Sequence, residues 1–241
     1  MNLKQRWGWF AHVYKACAQQ HHLELRPLLR RLIPADAVVL DIGAHAGQFA
    51  KLFARLAPRG RVYAFEPSPY ALSILRLAVR TSGLKNIIIE PLGLSDTPGA
   101  ARLTTPIKRR GDVGFGLAHL GDADRPGAHV EHEVRLTTLD QACGGLERLD
   151  FIKIDIEGWE LSALRGGAAT LERFRPTIFA EANHRHLARA GATPAQLWAF
   201  LEGLGYQASR DGSEAPAYCG PGDYLWRAPD ASSSRTSSRS P

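Results

Sequence analysis

The sequence predicts an α/β domain built on a mostly parallel sheet. Three observations carry this. Strand-like and helix-like runs alternate from Ala35 onward, glycine or proline closes the helices, and the apolar strand over 38–42 ends in an acid and a two-glycine turn. Alternation of this kind builds right-handed βαβ crossovers. With 241 residues, 44% of them hydrophobic and 22% charged, the chain can bury one sizeable core without disulfide or metal staples.

The first elements lie in an N-terminal extension, residues 1–34. Apolar or aromatic side chains at Leu3, Trp7, Phe10, Tyr14, Cys17, His21, Leu25, Leu28 and Leu32 are spaced mostly by three and four, which is a helical stripe. Pro27 should divide it into one helix to about residue 25 and a short second one. Lys4, Arg6 and Lys15 accompany Trp7, Trp9 and Phe10. The extension therefore reads as a lid, a membrane-surface anchor, or a helix packed on the domain or on another subunit.

The main domain is expected over 35–228. It opens with a strand over 38–42, a helix over 46–57, a strand over 61–65, a helix over 69–81 and a strand over 87–90. Pro58-Arg59-Gly60 and Ser82-Gly83 stand where the two helices should stop. The pattern changes over 92–137, an insertion of short strands and loop. Its segment 108–120, with Gly111, Gly114 and Gly116, reads as a substrate-side loop or a plain solvent loop. Alternation resumes with a strand over 151–156, a helix over 159–172, a strand over 176–181 and a helix over 194–204. Strands over 205–209 and 224–227 close the domain, near enough to pair, for about seven strands in all. The tail 229–241 is rich in Ser and Arg and is predicted to be disordered.

Asp41-Ile42-Gly43-Ala44-His45-Ala46-Gly47 and Glu66-Pro67 give the first site signal. A buried strand ending in an acid and a glycine turn brings bare backbone close to a small polar cofactor, and an acid after the next strand suits a ribose diol. Dinucleotides favour G-x-G-x-x-G with no acid at the turn. Here the spacing is Gly-x-x-x-Gly, and Asp41 beside a pyrophosphate would be repelled by roughly a few kcal/mol. S-adenosylmethionine carries a sulfonium and an ammonium instead, so the acid favours it.

Lys153-Ile154-Asp155-Ile156-Glu157-Gly158-Trp159 is the second signal. Ligands of open α/β sheets bind beyond the carboxyl ends of the strands, so Asp155 and Glu157 are expected at the same crevice. They can hold the cationic cofactor, accept a proton, or bind a divalent cation, although no metal is part of the expected cofactor set. Either acid can equally support the following helix. Glu181-Ala182-Asn183-His184 brings an imidazole beside a carboxylate, so His184 is a candidate general base, or simply an exposed histidine.

Cys17, Cys143 and Cys219 form neither a disulfide framework nor a zinc pattern, which suits a reducing, cytoplasmic setting. No apolar stretch reaches the roughly 18 residues of a membrane span. A net charge of +6 admits an anionic partner without selecting one. No basic run is interleaved with aromatics, so no specific nucleic-acid partner is expected. A homo-oligomer stays open.

Taken in order, Asp41-x-Gly43-Ala44-x-x-Gly47, Tyr63-Ala64-Phe65-Glu66-Pro67, Leu94-Ser95-Asp96, Thr138-Leu139-Asp140 and Phe151-Ile152-Lys153-Ile154-Asp155-Ile156-Glu157-Gly158 resemble the FkbM family of S-adenosylmethionine-dependent methyltransferases. The likeness covers about residues 35–181, and its most specific part is the Lys-Ile-Asp-x-Glu-Gly block. It implies a Rossmann-like class I methyltransferase fold, with a seven-stranded sheet whose last strand is antiparallel. It also implies O-methylation of a hydroxyl on a small-molecule or glycan acceptor, such as a sugar or a natural product. By the same likeness Leu94, Ser95 and Asp96 would lie by the adenine. His45 stands where Asn is frequent, Leu77 and Ser82 where helix asparagines are common, and Trp159 where a small residue is usual.

Two rival readings use the same sheet. An NAD-dependent oxidoreductase or epimerase lacks its third glycine and a Tyr-x-x-x-Lys pair here. A non-catalytic binding module would hold RNA or a membrane surface by basic contacts, with a steep salt dependence for RNA.

Overall fold

The computed structural model describes residues 3–106, 119–120 and 129–229. All but the last two residues of the expected loop over 108–120, and the expected disordered tail from 230, lie outside the described residues.

The N-terminal extension forms α1 (Leu3–Ala18), a short 3-10 turn (Leu23–Leu25) and α2 (Arg26–Leu32). The first helix stops at Ala18, earlier than the stripe predicts, and His22, left-handed at φ +62°, leads into the 3-10 turn. Pro27 sits in the first turn of α2, where its missing N–H costs nothing. The domain then runs β1 (Val38–Ile42), α3 (Gln48–Leu56), β2 (Arg61–Phe65), α4 (Pro69–Ser82) and β3 (Ile87–Glu90). The insertion holds β4 (Gly93–Leu94), β5 (Gly99–Pro106), β6 (His119–Leu120) and β7 (His129–Thr137). After α5 (Leu139–Cys143) come β8 (Phe151–Ile154), α6 (Glu160–Arg165), α7 (Ala168–Phe174), β9 (Thr177–Ala182), α8 (His184–Arg189) and α9 (Pro194–Gly203). The chain closes with β10 (Gln207–Arg210), β11 (Ser213–Glu214) and β12 (Gly222–Arg227).

Among the described residues the main sheet has the order β11-β10-β12-β9-β8-β1-β2-β3. Strands β3, β2, β1, β8 and β9 pair in parallel, and β12 enters antiparallel between β9 and β10. The expected antiparallel last strand is therefore present. The sheet has eight strands rather than seven because two-residue β11 folds back on β10 at the edge. The expected insertion forms a separate four-stranded sheet, β4-β7-β5-β6.

Alternation along each strand feeds two cores, one on either face. Leu40, Ile42, Ile152 and Ile154 pack on one side with Leu164 and Trp198, while Val39, Val62 and Phe151 pack on the other with Phe53. The single helix predicted over 159–172 is divided into α6 and α7 at Gly166-Gly167. A Cβ at Gly166 would stand 2.1 Å from Ser95 O, so the backbone there packs directly against the turn after β4. This arrangement leaves the carboxyl ends of β1, β2 and β8 side by side, under the insertion and the N-terminal extension.

Candidate functional site

A cavity of about 330 Å³ opens at those strand ends. Its floor is the turn after β1. Gly43 and Gly47 take φ +82° and +80°, and His45 between them takes φ +52°. Histidine, like asparagine, is enriched in this left-handed region, which accounts for an imidazole-bearing residue at His45. The Gly43 and Ala44 amides both donate to Phe65 O at 3.0 Å, fastening the turn to the end of β2. A Cβ at Gly43 would lie 2.0 Å from Asp155 O, so the turn is also pressed against the end of β8.

Glu66 is almost fully buried, and both of its oxygens accept backbone N–H groups. His45 donates to Oε2 and Ser68 to Oε1, each at 2.8 Å. Burial nevertheless pushes its carboxyl up to about 7, with the two amides opposing. An ionised carboxylate has roughly four lone-pair sites, so two acceptor positions stay available toward the cavity.

Asp41 is fully buried, does not line the cavity, and neither of its oxygens meets a hydrogen-bond donor among the described residues. Burial raises its pKa to about 6, against the pull of Lys153, whose Nζ lies 3.9 Å away. The same ammonium is 3.5 Å from Asp155 Oδ2, donates to Gly43 O at 3.4 Å, and stands 5.1 Å over the Phe49 ring. Burial penalises that charge, but Asp155 and Asp41 outweigh the penalty and hold the Lys153 pKa above its ordinary value.

Asp155 and Glu157 both line the cavity. Glu157 has φ +57°, a strained conformation for a side chain of its kind, and Gly158 follows at +112°. Glu157 Oε2 lies 3.0 Å from His186 Nδ1 and 3.4 Å from Arg189 NH2. His186 Nδ1 is also 3.5 Å from Glu181 Oε2. Just behind, buried Glu160 accepts from the Ile156 and Gly158 amides at 2.9 and 3.1 Å, and burial lifts its carboxyl to about 7. Carboxylate oxygens of Asp155, Glu160 and Glu181 come within 4.8 Å of one another. Burial first, then these like charges, raise Glu181 to about 8, so the group can hold protons or a cation.

Of the other expected site residues, Gly43, Ala44, His45, Glu66, Pro67 and Leu94 line the cavity, whereas Gly47 supports the turn from outside its wall. Ser95 is buried with its hydroxyl 3.2 Å from that of Ser162, and the Asp96 amide donates to the same Ser162 hydroxyl. Asp96 and Trp159 line a second, smaller hollow of about 190 Å³. His184 is exposed at the start of α8 with Nδ1 3.0 Å from the Tyr218 hydroxyl, and it does not line the cavity. Asn183 caps that helix by accepting from the Arg185 amide, and the turn carries His184 away from the strand end.

The imidazole that does line the cavity beside His45 is His22, which sequence reasoning missed. Its ring stacks on Phe49 with centroids 4.3 Å apart and planes 16° apart. Burial lowers its pKa, so the ring is neutral near pH 7. Only the His21-His22 doublet hinted at it, because the contact spans two elements that sequence spacing does not join.

The model of the methyltransferase FkbM domain matches residues 41–208. The AMB antimetabolite synthetase AmbE of Pseudomonas aeruginosa is 30% identical over 210 residues, 74% of this chain and 10% of that protein. The 2-O-methyltransferase NoeI of Sinorhizobium fredii is 29% identical over 163 residues, 62% of this chain and 65% of its own length. The chain thus spans a tenth of one relative and just under two thirds of the other. A crystal structure of methyltransferase FkbM from Methylobacillus flagellatus superposes with a TM-score of 0.55 at 19% identity, covering 80% of this chain and 44% of that one. At that identity the likeness concerns the fold.

Proposed function

The chain belongs to the FkbM methyltransferase family, and on that premise we propose that it is an enzyme that takes a methyl group from S-adenosylmethionine and delivers it to a hydroxyl of a sugar, a glycan or a natural product. The observation that carries this reading is one cavity framed by the Gly43–Gly47 turn, Glu66 and Asp155.

The residues present fit this cofactor. Gly43 lets the turn after β1 lie against the end of β8 at the cavity wall, and Glu66 keeps acceptor capacity for a ribose diol. Buried Asp41 and the acids at the end of β8 give the region a negative bias, which suits a ligand bearing two positive centres and opposes a pyrophosphate. Leu94 and Phe65 supply apolar wall for an adenine. When bound, S-adenosylmethionine supplies a methyl group activated by a positively charged sulfur.

The chain's own residues do the rest. The turn and Glu66 fix position, and alignment of reactants is worth roughly 7–11 kcal/mol of a barrier. Asp155 and Glu157, on the cavity wall, orient an acceptor hydroxyl and take up its proton, with His186 and Arg189 holding Glu157 in place. An acidic wall favours a neutral hydroxyl over an anionic acceptor. The name of NoeI supports an oxygen acceptor and that of AmbE a role in making a natural product.

Calorimetric titration of S-adenosylmethionine into the wild type, Glu66→Ala and Asp41→Ala tests the site. Binding to the wild type with clear loss in Glu66→Ala is expected. Unchanged affinity in both variants would sink the assignment.

A further inference from the structure

Helix α1 has two apolar faces, and among the described residues one of them is covered. Trp9, Val13 and Ala16 pack with Ile74 and Ala78 of α4 and with Ala46 and Tyr70. Trp9 Nε1 donates to the Ser73 hydroxyl at 2.8 Å, and His12 Nδ1 lies 3.0 Å from the Tyr70 hydroxyl. On the opposite face stand Trp7, Phe10 and Tyr14, which are 71%, 54% and 67% exposed. Their spacing, i, i+3 and i+7, lines them in one stripe along the outside of the helix. Leu23 and Leu28, further along the extension, are 51% and 38% exposed. Isolated exposed aromatics need no explanation, but three in one stripe mark a surface with a partner.

The charge of the extension identifies that partner. Lys4, Arg6, Lys15, Arg26, Arg30 and Arg31 face one acid, Glu24, within the first 32 residues. The extension alone therefore carries five of the chain's net six positive charges. Lys15 is exposed beside Tyr14, and Arg26, Arg30 and Arg31 are exposed on α2.

We propose that the outer stripe of α1, in an extension whose sequence is strongly basic, is a docking surface for an anionic lipid bilayer. Tryptophan and tyrosine combine an apolar ring with a polar tip and settle at the headgroup level, while lysine and arginine pair with anionic headgroups. A second copy of the chain is the poorer occupant. An isologous contact through this stripe would set one cationic extension against another, with one glutamate on each side to offset six cations. No helix among the described residues is long and apolar enough to cross a membrane, so the contact is peripheral. The same extension carries His22 to the cavity wall, which joins the docking helix to the candidate site through residues 19–22.

Co-sedimentation of the full chain with vesicles tests this, using phosphatidylcholine alone and phosphatidylcholine with phosphatidylglycerol. Binding is expected only to the vesicles containing phosphatidylglycerol, weakening steeply with salt and accompanied by a blue shift in tryptophan emission. The variant Trp7→Ala, Phe10→Ala, Tyr14→Ala changes exposed side chains, so its fold should persist by circular dichroism. It should bind at least about tenfold more weakly. A second variant, Arg30→Glu with Arg31→Glu, should lose the preference for anionic vesicles. Failure of the wild type to bind, or equal binding by the alanine variant, overturns the proposal. So does light scattering that finds a wild-type dimer which the alanine variant converts to monomer.

Discussion

The His45 amide donates to Glu66 Oε2 at 2.8 Å, which ties the glycine turn after β1 to the acid after β2. The two halves of the motif are thus one hydrogen-bonded unit, and a change at either should be felt at both. Glu66→Gln keeps one carbonyl acceptor for the amides, while Glu66→Ala leaves the His45 and Ser68 amides without it, at about 1–3 kcal/mol for each amide left buried. At His45 the backbone matters more than the ring. His45→Asn, also at ease with φ near +52°, should preserve stability, and His45→Val should lose about 1–3 kcal/mol. Urea denaturation of the four variants checks this. Equal stability of the Asn and Val forms would show that the turn relaxes freely.

Gly43 and Gly47 share a positive φ but differ in what surrounds them. A Cβ at Gly47 meets Leu75 Cδ1 at 2.6 Å, the end of a side chain that can rotate. A Cβ at Gly43 meets the carbonyl oxygen of Asp155 at 2.0 Å, so β1 and β8 would have to part. Gly47→Ala is expected to cost about 1–2 kcal/mol, mostly from the left-handed conformation. Gly43→Ala should cost roughly 3 kcal/mol or more and abolish S-adenosylmethionine binding, measured by denaturation and calorimetry. The reverse order of severity would contradict the close approach seen at Asp155.

Much of this was legible in the sequence, and the exceptions share a cause. Strands over 38–42, 61–65 and 87–90 fall where local period and punctuation put them. The division at Gly166-Gly167 was hidden because its reason, the carbonyl of Ser95, lies some seventy residues away along the chain. His184 and His186 are two residues apart and both near acids in sequence, yet a helix turn sends one to Tyr218 and the other to Glu157. His22 reaches the cavity only because the extension folds back over α3, where Gln20 and His21 bond to Gln48. Motifs reveal residues fixed by local backbone geometry, whereas contacts made by tertiary return appear only in the fold.

Buried acids make the stability of the unliganded chain respond to pH in an uncommon direction. Asp41 is raised to about 6, and Glu66 and Glu160 to about 7, all by burial. The folded state therefore binds more protons than the unfolded chain between about pH 4 and pH 7. Their contribution is fully present below the ordinary carboxylate range and is lost as pH rises through about 6 to 7. His22, lowered by burial, opposes this weakly. Calorimetric melting should accordingly give a higher Tm near pH 5.5 than near pH 8. For a chain of this size each 1 kcal/mol moves Tm by about 2–4 °C. Glu66→Gln should flatten the dependence. A Tm that rises steadily with pH would refute the upward shift of these buried acids.

Lys153 holds the centre of this electrostatic arrangement, with Asp41 Oδ1 at 3.9 Å and Asp155 Oδ2 at 3.5 Å. Asp155 is partly exposed and can turn to water, but Asp41 is sealed, so the two acids should respond differently to loss of the ammonium. Lys153→Met keeps most of the volume and removes the charge, leaving Asp41 without its cation. Breaking a buried pair in this way costs about 3–5 kcal/mol, and because Lys153 lowers the Asp41 pKa, its loss lets Asp41 protonate more readily, which limits that cost toward lower pH. The double variant Asp41→Asn with Lys153→Met removes both charges and should recover most of that stability. A cycle of denaturation midpoints at pH 8 measures the coupling, with a favourable interaction of about 2 kcal/mol or more expected. Additive single and double variants would mean that Lys153 serves Asp155 and the Gly43 carbonyl alone.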